Sequence, residues 1–323
     1  LLTQIVVNED FSSRFDQVKA RQYQGLTNTV LNKPINQLFS TLAVLMQQQN
    51  HAASDMSQVM ENLTLNDIET TKIKLLRQFH LEGMMYGDWA PEDAYRISAD
   101  IKKFRMMHKP CAKIRRGIAD IRHSKAISYQ VECQHKDPAV VIYFQAPDCS
   151  LKNIALTILA EQLLATPFFN QLRTEQQLGY LVGSGYIPYN QHPGIGFYIQ
   201  SPHHPAEYLI EAINLFLQQF VENINQFIHI WDSLKKGVMK QLMEKDTNLS
   251  MKSQRLWMAI GNRDIEFTNS SQMTQTILDI EFFELKTFLI SLVSRQGFGE
   301  VILHSAGSQQ VPLSFQTEVI GFK

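Results

Sequence analysis

Cysteine is scarce: Cys111, Cys133 and Cys149 are the only three in 323 residues, and no pair has C-x-x-C spacing. An odd number without that spacing excludes a disulfide framework and a zinc knuckle, so all three read as free thiols. No apolar run approaches the roughly 20 residues that span a bilayer; "IALTILAEQLLA" and "FLISLV" are typical of the longest. No signal peptide is visible. Charge of one sign is not in excess either. Lys and Arg number 30, Asp and Glu 31, and the net charge of −1 sets up no global field to recruit nucleic acid or anionic lipid. Catalytic signatures are missing too. There are ten histidines, yet neither H-E-x-x-H nor H-x-x-E-H occurs, and G-x-S-x-G, a Walker loop and a dinucleotide fingerprint are absent. "HLEG" at His80 lacks a second His. "HHPAE" at His203 runs into Pro205 with no further ligand at a metal-binding interval. Taken alone, this chain is not expected to hydrolyse anything or to hold a metal.

What is present suits a globular protein: 44% hydrophobic and 19% charged residues, with length for about two domains. The first 80 residues read as helical. "SSRFDQVKARQYQGL" offers a Ser cap, Asp16 in the first turn, and Phe15, Val18 and Leu26 on a rough apolar face. A second helix restarts at Pro34, with Leu38, Leu42 and Leu45 at helical spacing. A third runs through "LNDIETTKIKLLRQF". In "FHLEGMMYGDW" the period changes: Phe79, Leu81, Gly83 and Met85 alternate as one face of a strand stopped at Gly87-Asp88. "PEDAYRISADIKKF" returns to helix. The Lys- and Arg-rich stretch 102–125 reads as a solvated connector, because Phe104 alone stands among its charges and base stacking requires a series of aromatics.

Beyond the connector, "AISYQVEC" and "AVVIYFQA" read as strands. A long apolar helix starts near Leu151 and is expected to stop at Thr166-Pro167. Residues 180–186 and 194–201 look like a hairpin closed by "PYNQHPG". "PAEYLIEAINLFLQQFVENI" is an amphipathic helix with Leu209, Ile213, Phe216, Phe220 and Ile224 on one stripe. Two or three more helices and a last strand, "GEVILHSAG", are expected after it. "DIETTKIK" from Asp67 and "DIEFFELK" from Asp279 resemble each other at a separation of a whole domain, each on a helix followed by a strand. That suggests a duplicated domain whose first copy lacks its front end. The missing initiator methionine agrees, and the start reads as a cut within a longer protein.

One stretch carries chemistry of its own: "FFNQLRTEQQLGYLVGSGY", Phe168 to Tyr186. Arg173 and Thr174 are expected in a short turn after a helix ending at Phe168-Phe169, and Tyr180, Val182 and Ser184 on one face of the strand that follows. An arginine fork binds peptide carbonyls or a carboxylate, and a phenol donates to a developing oxyanion. The competing reading makes Tyr180 a half-buried strand residue and Arg173 a charge at a helix C-terminus.

"PFFNQLRTEQQLGYLVGSG", with "HLEGMMYGD", "VIYFQ" and "GFYIQSPHHPAEYL", resembles the C-terminal half of the pitrilysin and insulin-degrading-enzyme family of inverted-motif zinc peptidases. The likeness runs from about Phe11 to the last strand. It implies an α+β fold: two similar α/β-sandwich domains, each an antiparallel-rich sheet packed by helices, the first copy truncated at its N-terminus. Residues 1–118 would be the mostly helical end of a third domain, and 119–323 a complete fourth domain. The resemblance implies that zinc, the H-x-x-E-H motif and the catalytic Glu belong to an N-terminal half of the same polypeptide, so this chain's expected partners are that half and peptide substrates, with no nucleic acid and no membrane. The family's Arg and Tyr fall on Arg173 and Tyr180, which would reach an active site completed when the two halves close. In that setting zinc-bound water attacks a peptide carbonyl and the phenol supplies a donor to the oxyanion. A catalytically silent binding or assembly subunit of the same fold is the alternative. The likeness to pitrilysin and the Gln-rich character suggest a bacterial, periplasmic parent.

Overall fold

The structure, a computed structural model, describes residues 12–306 apart from 81, 107, 108, 115, 125 and 245. Among the described residues the helices are α1 (Phe15–Thr27), α2 (Pro34–Met46), α3 (Ala53–Asn62), α4 (Leu65–Arg77), α5 (Pro91–Met106), α6 (Leu151–Phe169), α7 (Ala206–Glu222), α8 (Trp231–Leu242), α9 (Leu249–Gly261), α10 (Asn269–Asp279) and α11 (Phe282–Val293). The strands are β1 (Gln78–Phe79), β2 (Lys109–Pro110), β3 (Ile127–Gln130), β4 (Ala139–Gln145), β5 (Leu181–Tyr186), β6 (Gly194–Gln200) and β7 (Gly299–Ser305). They form two compact units that interleave along the sequence. One gathers the described residues of Leu1–Thr29, His51–Arg115 and Asp246–Gly261; the other gathers those of Val30–Asn50, Arg116–Lys245 and Asn262–Lys323. The fold is α+β. No helix among the described residues is long and apolar enough to cross a membrane.

The second unit is built on a five-stranded sheet in the order β3-β7-β4-β6-β5. β3 runs parallel to β7, and every other pairing is antiparallel. β4, "AVVIYFQ", is buried at all seven positions, as its unbroken apolar run requires of a strand covered on both faces. Val140, Ile142 and Phe144 face one way, into a core shared with α6, α7 and α11; Val141 and Tyr143 face the other, against Ile35, Leu38, Leu42 and Met46 of α2. Burying each such side chain is worth roughly 1.5–3 kcal/mol over leaving it exposed. The stripe Leu209, Ile213, Phe216 and Phe220 of α7, continued by Ile224 in the turn after it, is buried throughout, as its spacing predicts. The β5–β6 hairpin also forms, with Asn190 and Gln191 in the left-handed region of its loop.

Several expectations are corrected. Pro167 does not stop its helix: α6 runs on to Phe169 and then into a π-helical turn, Asn170–Glu175. Four helices, not two or three, separate the Ile224–Ile230 turn from β7, and α9 among them belongs to the other unit. The 102–125 stretch is a connector only in part. α5 extends to Met106, Ala119 and Ile121 are buried beneath the sheet, and Arg122 is tied to Asp120 at 2.7 Å and to the Pro147 carbonyl. The paired octapeptides differ locally: Asp67 closes the first turn of α4, where Thr64 N–H donates to it at 2.9 Å, whereas Asp279 is the last residue of α10.

The first unit is helical, with α1 packed on α3. Lys19 Nζ donates to the carbonyls of Glu61 and Leu63 at the end of α3, at 3.0 and 2.8 Å, supplying partners that helix termini lack. The strand expected in "FHLEGMMYGDW" shrinks to Gln78–Phe79, paired in parallel with Lys109–Pro110; residues 82–86 have no regular structure and residue 81 lies outside the described set. Alternation marks a two-faced segment, but a strand also needs a neighbour for its N–H and C=O groups, and the described partner is two residues long. Gly87 ends the segment at φ 140°, a conformation natural only to glycine.

Candidate functional site

α6 begins under control of its cap: Ser150 Oγ accepts the Asn153 N–H at 3.3 Å. At its far end Phe168 is fully buried, with its ring 5.3 Å from Phe197 and 5.1 Å from Phe216. The π-helical turn that follows is closed by Gln176 N–H donating to the Gln171 carbonyl at 2.9 Å, and Leu178 N–H reaches Leu172 at 2.9 Å. Single π turns of this kind recur at functional sites. Phe168, Leu172 and Leu178 anchor the turn in the core. Phe169 and Arg173 remain outside, with the guanidinium carbon 5.1 Å from the Phe169 ring centroid. Among the described residues that ring is the only partner of the Arg173 side chain, so its five N–H donors stay available.

The chain then turns back to the sheet. Gln177 sits at φ 54°, and Gly179 passes so close to β6 that a Cβ would overlap the Gln200 carbonyl. The strand starts at Leu181, one residue later than expected, and Tyr180 stands just before it, 39% exposed. Val182 packs in the core with α6, and Ser184 Oγ donates to Glu161 of α6 at 3.1 Å. The Tyr180 hydroxyl reaches elsewhere. It donates to Asp137 Oδ2 at 2.8 Å and accepts from Gln200 Nε2, while Gln200 Oε1 accepts the Ile35 N–H of α2 at 3.3 Å. Tyr180 therefore does not share the face of Val182 and Ser184, which is a second correction. Partial burial, then the hydrogen bond and charge of Asp137, push the phenol up to about 12 against the opposing donation from Gln200. The group is a proton donor at neutral pH and not a base.

Arg173 and Tyr180 thus belong to one connection: the π turn lies against β5, an edge strand of the sheet, and both side chains reach solvent. An exposed arginine fork is chemically suited to a peptide carbonyl or carboxylate, and an exposed phenol to an oxyanion. Asp137 and Gln200, which contact the phenol, were not evident from sequence. "HKDP" signals only a turn, and a glutamine closing an apolar strand shows its purpose only when the neighbouring strands are in place.

The described histidines do not assemble into a metal centre. Among the described residues no group of three or more His, Cys, Asp and Glu could hold an ion. His204 stacks on Tyr208 with centroids 4.9 Å apart, and His80 pairs with Glu82 at 3.3 Å. The described residues do not fit a zinc ion.

The chain is similar to several known proteins. A family profile described as "PQQ synthase PqqF-like, C-terminal lobe domain 4" matches residues 158–257, a span that includes the π turn, Arg173 and Tyr180. A nardilysin-like protein of Arabidopsis thaliana is 25% identical over 83% of this chain and 27% of its own length. Insulin-degrading enzyme of Homo sapiens is 23% identical over 79% of this chain and 26% of its own. The crystal structure of pitrilysin superposes with a TM-score of 0.82 at 18% identity, covering 94% of this chain and 33% of that one. The chain therefore spans about a quarter to a third of the length of these proteins. The arginine–tyrosine signature, the α+β fold and these likenesses converge: the chain is similar to the C-terminal part of pitrilysin-like M16 peptidases.

Proposed function

We propose that this chain is the non-zinc C-terminal half of a pitrilysin-type zinc metalloendopeptidase. It lines the chamber that admits a peptide and supplies Arg173 and Tyr180 to the substrate. Zinc and the catalytic carboxylate belong, in this reading, to an N-terminal half of the same polypeptide, and the fragment alone is inactive. The observation that carries the reading is the pair itself. Arg173 has an uncommitted fork and Tyr180 an exposed, protonated hydroxyl, and both are held by a buried framework of Phe168, Leu172 and Leu178.

The roles divide by charge. A guanidinium binds the ground-state peptide backbone or a terminal carboxylate through paired N–H donors. A neutral phenol is a modest donor to a neutral carbonyl and a much better one to an oxyanion, so its contribution is concentrated in the transition state. Removing one oxyanion donor typically costs about 3–4 kcal/mol. In the full-length protein, Arg173→Gln is expected to raise KM for peptide hydrolysis while kcat changes less, the signature of lost uniform binding. Unchanged KM and kcat in that variant would remove Arg173 from the site.

A further inference from the structure

Tyr180, Gln200 and Asp137 meet because three strands are in register at one end of the sheet. Ala139, the first residue of β4, pairs with Gln200, the last of β6, and Gln200 pairs in turn with Leu181, the first of β5. Asp137 stands two residues before β4 and Tyr180 one residue before β5, so the pairing alone brings all three together. Pro138 carbonyl accepting Ser201 N–H at 3.0 Å fastens the same corner.

The hydrogen bonds have a single possible direction. A backbone N–H can only donate, so the Ile35 N–H fixes the Gln200 side chain with its oxygen toward α2. That leaves the Gln200 NH2 facing the phenol, and the phenol must accept from it. The one phenolic proton is then directed outward to Asp137. Gln200 is fully buried, and Asp137 retains 18% side-chain exposure. His135 also stands at this corner: its Nδ1 accepts the Asp137 N–H at 3.1 Å and lies 3.9 Å from Asp137 Oδ2.

Resting on the functional reading above, we infer that Gln200 and Asp137 are positioning residues for Tyr180, with opposite effects on its hydroxyl. Gln200 sets the orientation and polarity that point the proton outward. Asp137 is the resting acceptor, which holds that proton when no oxyanion is present. A carboxylate accepts more strongly than a neutral peptide carbonyl, so ground-state substrate does not draw the hydroxyl away. An oxyanion competes on equal terms and does. The exchange makes donation by Tyr180 selective for the transition state, and Asp137 lowers overall transition-state binding by the strength of the bond that must be given up.

Two measurements test this. In the isolated chain, the tyrosine 13Cζ resonance of Tyr180 is followed with pH, assigned by its loss in Tyr180→Phe. Asp137→Asn is expected to make Tyr180 ionise at lower pH, and Gln200→Leu to shift its resonance at neutral pH. In the full-length protein, Gln200→Leu should lower kcat roughly five- to tenfold with KM little changed, as loss of one hydrogen bond of ordinary strength implies. Asp137→Asn should instead raise kcat/KM by about two- to fivefold and lower KM. Both effects should vanish in a Tyr180→Phe background, which a merely structural role would not do. The inference is overturned if Tyr180 titrates identically in all variants, if both substitutions lower kcat/KM, or if the effects persist without the phenol. A full-length protein inert on peptides overturns the functional reading instead, and the NMR titration still decides the network.

Discussion

The two compact units solve the problem of stability differently. In the sheet-bearing unit Leu38, Leu42, Ile142, Phe144, Phe168, Phe197 and Phe216 are buried to 2% exposure or less. In the helical unit no hydrophobic residue whose burial is described is fully buried, while Trp89 is 54% exposed, Tyr95 77%, Leu75 65%, Trp257 47% and Met258 67%. The helical unit holds itself with local devices: the Lys19 bonds at the end of α3, the Thr64–Asp67 cap, the 2.7 Å Lys113–Glu82 pair and the 2.7 Å Arg255–Asp246 pair. Exposed ion pairs are screened by solvent, and an exposed cap stabilises only its own first turn. Such contributions shape helices but do not replace a core. The lesson is one of division. Precision chemistry needs atoms held within a fraction of an ångström, and the candidate residues Arg173 and Tyr180 are both carried by the unit that has a core.

The comparison can be broken most sharply at its extremes. Phe168→Ala in the core is expected to cost about 3–5 kcal/mol, whereas Trp257→Ala in α9 should stay within about 0.5. Denaturant unfolding of the two variants measures both, and equal losses would mean the helical unit has a core of its own. A smaller effect sharpens the link between framework and site. Gly179→Ala forces a methyl group into the Gln200 carbonyl and should cost roughly 1–3 kcal/mol, with Tyr180 displaced. Retention of full stability would show that this close approach is not needed.

The smallest effect is in pH. His192 and His304 lie in the sheet-bearing unit, and burial holds both below the ordinary histidine value. Protons therefore bind the unfolded chain first. Stability should be level above about pH 6.5 and fall as pH drops below it, by an amount that His192→Gln reduces. Asp120, held far below the usual carboxylate range by Arg122, and Asp148, lowered by Ser150 and Asn153, add their own losses only in more acidic solution, near and below about pH 4. A stability profile rising from pH 7 to pH 5 would contradict the histidine account.

Much of the sheet-bearing unit was legible as pattern. β4 announces itself as an unbroken apolar run, α7 as an apolar stripe, and the β5–β6 hairpin as two strands around turn residues, because burial on one or two faces imposes those periods directly. Arg173 and Tyr180 were found through a resemblance, since seven residues of spacing carry no geometry by themselves. The π turn was not legible: Pro167 removes one N–H but its φ is compatible with helix, and the core contacts of Phe168 and Leu172 outweigh the break. Nor were Asp137 and Gln200, whose roles arise from strand register between segments far apart in sequence. The strand expected near Leu81 failed for the reverse reason, a local pattern without a long partner strand among the described residues.

The central claim is that the Tyr180 hydroxyl acts on the transition state of a reaction whose metal lies in another part of the polypeptide. Its most direct test is peptide turnover and zinc content of the full-length protein carrying Tyr180→Phe. The account predicts a fall in kcat on the order of a hundredfold, with KM little changed and zinc retained in full. Wild-type turnover, or zinc and activity lost together, would contradict it.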